Sequence, residues 1–160
     1  MNAPHWHLAI NHIPVVGVFL VVILLGYALA RGRGELYGVS LGALVLLALA
    51  TIAVFFTGRR ADDALMDFAD VDDKLVHIHE AAANFAFTGI GILGMVALVA
   101  LVLGRKLPHV SRGAATVILL LAAVEMVLLA WTANLGGQIR HPEIRATSAA
   151  PASPEKGGHD

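Results

Sequence analysis

Four long apolar blocks constrain the fold of this chain more than any other feature of its sequence. They run over residues 8–30, 36–57, 79–103 and 113–135. Each block has about the twenty residues that an α-helix needs to cross the hydrocarbon core of a bilayer. Because 58% of the residues are hydrophobic, the chain is predicted to be an all-α integral membrane four-helix bundle, built from two helical hairpins.

The composition of the chain ends and the cysteine count narrow this prediction. The first residues lack the basic stretch of a cleavable signal peptide, so the first helix is expected to remain in the protein. Residues 1–144 are predicted to form the transmembrane domain, and the Ala-, Ser-, Pro- and Gly-rich tail of residues 145–160 is expected to be disordered. Cysteine is absent, which excludes disulfides, thiolate metal sites, iron–sulfur clusters and covalently attached c-type haem. No nucleic-acid partner is expected.

The basic residues of the short links predict the orientation of the helices. Lys and Arg accumulate on the cytoplasmic side, and the first link carries Arg31 and Arg33, while the third carries Arg105, Lys106 and Arg112. Three basic residues in the second link oppose this assignment. Both termini are nevertheless expected outside, which collects most histidines at the outer face: His5, His7, His12, His77, His79 and His141.

Helical periodicity predicts which polar residues face the bundle interior, since residues at i, i+3, i+4 and i+7 share a face. The third helix has one polar stripe: His77, Glu80, Asn84, Thr88 and Gly91. His79 lies on another side of that helix, so periodicity favours His77 for the interior. The corresponding small or polar stripes of the second and fourth helices are Ser40, Thr51 and Gly58, and Ala114, Ile118, Glu125, Thr132 and Gly136.

Imidazoles at one end of a helical bundle are typical of a b-type haem pocket, because the iron takes axial histidines from facing helices. His12 and either His77 or His79 are the candidate axial ligands. His7 and His141 are secondary candidates. A bend at Pro14 would aim His12, although prolines are also tolerated near the ends of membrane helices.

Other residues at the same end would complete such a pocket. Gly58, Gly136 and Gly137 would let a porphyrin edge approach the backbone, and Arg59 and Arg140 would pair with the propionates. Two alternatives remain open. His12, His77 and His79 would also suit copper or zinc, and histidines at helix ends also act as interfacial anchors.

Acidic residues form two further features. Glu125 lies near the middle of the fourth helix, where a carboxylate is costly, so it is expected to face the interior and mark a site. It would either relay a proton to or from a quinol, as the candidate catalytic group, or be held neutral and hydrogen-bonded to a neighbouring helix.

The Asp-rich second link is expected to be a solvated surface whose last members cap the third helix.

Several of these residues together resemble a known family. The pattern HxHxxxxHxP in the first helix, a His followed by Asn in the third, and Leu-Gly-Gly leading to Arg-His after the fourth are similar to the small bacterial membrane proteins catalogued as domain of unknown function 2231. The family tends to have His-Phe-Pro where this chain has His-Ile-Pro. The matching positions are His7, His12, Pro14, His79, Asn84, Gly136, Gly137 and His141. The resemblance favours His79 where periodicity favours His77.

The resemblance also implies an electron-transfer setting, because family members occur beside or fused to cytochrome c modules. The chain is therefore predicted to be a quinol-linked electron carrier of the bacterial inner membrane, with periplasmic termini and one or two b haems, rather than a stand-alone enzyme. Its expected electron partners are a periplasmic cytochrome or a larger respiratory or photosynthetic complex. The alternative prediction is a non-redox subunit of a larger membrane complex, whose histidines anchor it or bind a structural metal.

Overall fold

Four helical spans make up the architecture. The computed structural model describes residues 3–65, 72–104 and 110–145. The elements are α1 (Ala3–Ile10), α2 (His12–Arg31), α3 (Glu35–Leu65), α4 (Asp73–Gly104), α5 (Arg112–Arg140) and a short 3-10 turn at Pro142–Ile144. Four stretches are long and apolar enough to cross a membrane: Pro4–Arg31, Glu35–Ala61, Asp73–Gly104 and Arg112–Arg140. The predicted all-α fold is confirmed, with four helices that are long and apolar enough to cross a membrane, and the described residues contain no strand.

The helices extend beyond the apolar blocks at the end of the bundle that carries His7 and His79, called the histidine end below. α3 continues to Leu65, α4 begins at Asp73 and α5 continues to Arg140. Hydropathy marks only the part of a helix that lies in hydrocarbon, whereas the backbone hydrogen bonds continue into the headgroup region. The predicted tail from residue 146 onward, and residues 66–71 and 105–109 of the links, lie outside the described residues.

Side-chain and glycine caps delimit the helices at the links. The carboxylate of Asp72 accepts hydrogen bonds from the backbone N–H groups of Lys74 and Leu75, at 3.0 and 3.3 Å, which confirms that the end of the acidic link caps α4. Gly32 ends α2 with a φ of 65°, a left-handed conformation that favours glycine. Ser111 caps α5 by accepting a hydrogen bond from the N–H of Ala114. The caps at Gly32 and Ser111 allow short connections within the two hairpins.

Pro14 interrupts the first span. It has no N–H, so the carbonyl of Ile10 loses its usual helical donor, and the hydrogen-bond pattern of the helix is interrupted at Asn11, whose backbone dihedral angles remain helical. α1 packs against α3, whereas α2 packs mainly against α3 and α5. The segment that carries His7 therefore lies against α3. The residue that Pro14 was expected to aim inward, His12, is exposed at the start of α2.

Small residues mark the closest approaches between helices. A Cβ atom added at Gly94 of α4 would overlap the Cβ of Ala48 on α3, and one added at Gly17 of α2 would overlap the side chain of Leu47. Around these contacts lies one apolar core whose largest fully buried side chains include Leu25, Leu41, Leu44, Ile90 and Ile118. Large apolar side chains on the outer surface are exposed, as lipid-facing positions require.

Substituting Gly94 tests whether this close packing stabilises the bundle. Gly94→Val would force α3 and α4 apart, and we expect it to lower the free energy of unfolding by about 1 to 3 kcal/mol. Titration of the purified protein with SDS in mild detergent, followed by circular dichroism, measures this change. The control is Gly26→Val, because an added Cβ there meets nothing within 4 Å. Equal effects of the two substitutions would contradict the proposed role of the contact.

Candidate functional site

A cavity of about 370 Å³ opens at the histidine end, between α1, the start of α2, α3, α4 and α5. Its volume falls within the range of small-molecule sites. Apolar side chains form most of the wall, among them Val15, Val54, Ala83, Ala86 and Leu129. The polar residues inside are His7, His79, Thr51 and Thr132, and those around the rim include His12, Arg59, Glu80, Arg140 and His141. The structure thus brings most of the predicted site residues around one cavity.

His7 is held by the backbone of α3. Its Nδ1 atom lies 3.1 Å from the carbonyl oxygen of Val54, and since a carbonyl can only accept, Nδ1 carries the hydrogen. In the neutral ring the lone pair is then on Nε2. The ring packs against Gly58, where an added Cβ would lie 3.0 Å from the His7 Cε1. Glycine at this position therefore makes room for the imidazole.

His79 makes the same contacts in the second hairpin. Its Nδ1 lies 3.1 Å from the carbonyl oxygen of Thr132 on α5, and its ring packs against Gly136, where an added Cβ would lie 3.0 Å from Cε1. In both hairpins the accepting carbonyl and the glycine are four residues apart. This matching pair of contacts supports the two-hairpin organisation. It also leaves Nε2 of both rings available to a ligand.

His77 does not belong to the site. Its side chain is 66% exposed and it does not line the cavity, so the prediction from periodicity was wrong. Most of the stripe was assigned to the wrong side, because Asn84, Thr88 and Gly91 are exposed as well, and only Glu80 reaches the rim of the cavity. The face with His79 is instead the buried one, through Ala82, Ala86 and Ile90. The signal that could have identified this face is the pair Ala82 and Ala86, one helical turn apart, because small residues allow membrane helices to pack closely.

The remaining predicted residues lie at the rim. His12 is exposed at the mouth of the cavity. His141 is also exposed, and its Nδ1 lies 2.9 Å from a carboxylate oxygen of Glu143. The pKa of Glu143 is below its ordinary value, first because of a hydrogen bond with its own backbone and second because of His141. Arg59 lies 3.8 Å from Glu80 in an exposed ion pair. Gly137 and Arg140 line the cavity.

Glu125 is buried in the bundle, as predicted. The residue is only 3% exposed, its carboxyl group packs directly against Gly89 of α4, and its Oε1 has no hydrogen-bond partner among the described residues. Leu129, one helical turn closer to the histidine end, lines the cavity. Glu125 therefore lies about 6 Å below the cavity floor along the axis of α5. Of the two alternatives for Glu125, a carboxyl group hydrogen-bonded to a neighbouring helix finds no support at Oε1 among the described residues.

The described residues do not assemble a site for a bare metal ion. Within residues 3–65, 72–104 and 110–145, no group of three or more His, Asp or Glu side chains is close enough to hold one. His12, His77 and His79, the predicted copper or zinc ligands, are not brought together. Haem needs fewer ligands from the protein, because two axial imidazoles complete the coordination of its iron.

Comparisons with protein-family models, curated proteins and solved structures found no match to this chain. The resemblance to domain of unknown function 2231 therefore rests on its motif residues alone. Among them, His7, His79 and Gly136 come together in the cavity, whereas Asn84 lies on the exposed side of α4.

The buried Glu125 carboxyl should reduce stability in the absence of a ligand or partner. We expect Glu125→Met, which removes an unsatisfied polar atom, to raise the free energy of unfolding by about 1 to 3 kcal/mol. Glu125→Gln keeps a buried polar group and should give no such gain. Both values come from the SDS titration described for Gly94. A loss of stability in the Met variant would mean that the carboxyl group makes a stabilising interaction.

Proposed function

We propose that this chain is a membrane-embedded b-type haem protein that transfers electrons, with His7 and His79 as the two axial ligands. The observation that carries the proposal is the matched pair of histidines. Each donates from Nδ1 to a backbone carbonyl at 3.1 Å and keeps Nε2 for a metal. Ligating histidines generally donate their second ring nitrogen in this way. This choice takes His7, a secondary candidate from the sequence, in place of His12, and takes His79 of the two alternatives His77 and His79.

The surroundings of the two rings fit a porphyrin. The cavity wall is mainly aliphatic, and alanines such as Ala83 and Ala86 leave space beside the rings. Arg59 and Arg140 at the rim would pair with the propionates. The described cavity contains one pair of oriented histidines, which supports one haem rather than two.

Bound haem would supply reversible one-electron exchange between ferric and ferrous iron. The protein residues would tune that exchange in three ways. The carbonyls of Val54 and Thr132 orient the imidazoles and increase their basicity. Val15, Val54 and Leu129 exclude water from the cavity wall. Arg59 and Arg140 stabilise negative charge at the rim.

The proposed setting is the bacterial inner membrane, with both termini and the histidine end at the periplasmic face. A lipid-soluble quinol would donate electrons, and a periplasmic cytochrome or a larger respiratory or photosynthetic complex would accept them. Glu125, about one turn below the cavity, is the candidate group for handling the proton that quinol oxidation releases. Membership of the domain of unknown function 2231 is part of the same proposal and rests on the shared motif residues.

A second candidate is a non-redox subunit of a larger complex. The observation that favours it is that each histidine hydrogen bond already joins two helices: His7 joins α1 to α3, and His79 joins α4 to α5. Such interhelical hydrogen bonds stabilise membrane bundles without a cofactor. The two candidates differ in whether the purified protein retains haem.

Absorption spectra of the protein, purified in mild detergent after expression with added haem, distinguish the candidates. We expect a sharp α band on reduction with dithionite. His7→Ala and His79→Ala should each abolish the low-spin spectrum, because one axial ligand is lost. His77→Ala is the matched control and should leave the band unchanged, since that imidazole lies outside the cavity.

Two outcomes would contradict this assignment. A colourless wild-type protein would exclude the haem proposal and leave the subunit candidate. A coloured protein whose band disappears in His12→Ala but survives in His7→Ala would keep the haem and overturn the choice of ligands.

A further inference from the structure

One face of α4 carries polar side chains where the bundle should meet lipid. His77, Ala81, Asn84, Thr88, Gly91 and Met95, called the α4 outer face below, are all exposed. They follow one another at alternating spacings of four and three residues. That spacing places them in a single stripe along one side of the helix.

The middle of this face lies in the hydrocarbon layer. α4 has 32 residues and is therefore about 48 Å long, whereas the hydrocarbon core is about 30 Å thick. Its apolar block, residues 79–103, is centred on Gly91, so the hydrocarbon core reaches about ten residues to either side of that position. Asn84, Thr88 and Gly91 fall within this range.

Asn84 is the residue that a lipid environment does not explain. The hydroxyl of Thr88 is satisfied, because it donates to the backbone carbonyl of Asn84 at 2.9 Å. The side-chain amide of Asn84 is exposed, and no hydrogen bond joins it to another residue in the described part of the chain. Lipid tails offer neither donors nor acceptors, so this amide needs a partner from outside the bundle.

We propose that the α4 outer face pairs with the same face of a second copy of this chain, forming a parallel dimer with a two-fold axis along the membrane normal. All copies of one chain have the same orientation in the membrane. A two-fold axis along the membrane normal therefore places each residue at the same depth as its counterpart in the other copy. Asn84 then meets Asn84, and because an amide both donates and accepts, the two side chains can form reciprocal hydrogen bonds.

The rest of the face suits close helix pairing. A Cβ added at Gly91 would meet nothing within 4 Å of its own chain, and Ala81 is also small, so two α4 helices can approach closely near Asn84. At the histidine end, each copy carries both signs of charge, Arg59 and Glu80, only 3.8 Å apart and partly exposed. A two-fold axis allows Glu80 of one copy to face Arg59 of the other. A helix from a different protein would have to supply its own polar group at the depth of Asn84.

Disulfide cross-linking in membranes tests this pairing, because the chain has no cysteine of its own. Met95→Cys places a single thiol on the α4 outer face, and Leu120→Cys places one on α5. The two positions are equally exposed, at 61% and 62%, and lie at similar depth because Glu125 of α5 contacts Gly89 of α4. With copper phenanthroline as oxidant, we expect covalent dimers from Met95→Cys and none from Leu120→Cys.

A second measurement examines the role of Asn84. Asn84→Leu should weaken dimerisation by about tenfold, measured by fluorescence energy transfer between labelled copies as they are diluted in liposomes. Gly91→Leu, which blocks close approach, should weaken it as well. Circular dichroism and the SDS titration show whether each variant keeps its fold. We expect both variants to keep it, because positions 84 and 91 are both exposed on the outer side of α4.

Three results would overturn the proposal. Equal cross-linking of Met95→Cys and Leu120→Cys would indicate random collision. A monomeric mass in detergent and in liposomes would exclude the dimer. Adducts of Met95→Cys with a different protein, without homodimers, would show that the face binds another partner. None of these measurements depends on haem, so they test the dimer separately from the proposed function.

Discussion

Close contact between helices at glycine and alanine is the interaction on which the rest of this structure depends. Inside a bilayer, burying apolar side chains against each other gains little over leaving them in lipid, so the helices are held by packing and interhelical hydrogen bonds. Gly94 against Ala48 and Gly17 against Leu47 bring the backbones together in the middle of the bundle. The same principle operates at the histidine end, where Gly58 and Gly136 receive imidazole rings instead of aliphatic side chains.

The candidate site depends on this packing of imidazole rings against glycine. Because Gly58 and Gly136 have no Cβ, His7 and His79 can reach backbone carbonyls on the facing helices. The two carbonyls orient the rings and direct Nε2 away from the bonded helix. The contact between α1 and α3 brings His7 to the carbonyl of Val54. Rigid helices, rather than loops, therefore position both imidazoles.

Glu125 and Asn84 lie outside this arrangement, and each points to a different need. Glu125 is buried with an unsatisfied oxygen one turn below the cavity, which is costly for a bundle and consistent with a functional role. Asn84 is exposed on the outer side of α4, and in a bilayer an amide at that position would need a partner from another helix. One group therefore relates to the cavity and the other to assembly in the membrane.

Sequence alone determined the number of spans, their approximate positions, the interior placement of Glu125 and the gathering of histidines at one end, because these depend on hydropathy and helix length. It also selected Gly58 and Gly136, although for the approach of a porphyrin edge and not for the imidazole rings that pack there. Only the tertiary structure decided which histidines face inward. His77 and His79 each lie on a consistent helical stripe, and a stripe by itself does not say which side meets protein. The neighbouring helices settle this, since α5 presents a carbonyl and a glycine at Thr132 and Gly136 to His79 and none to His77.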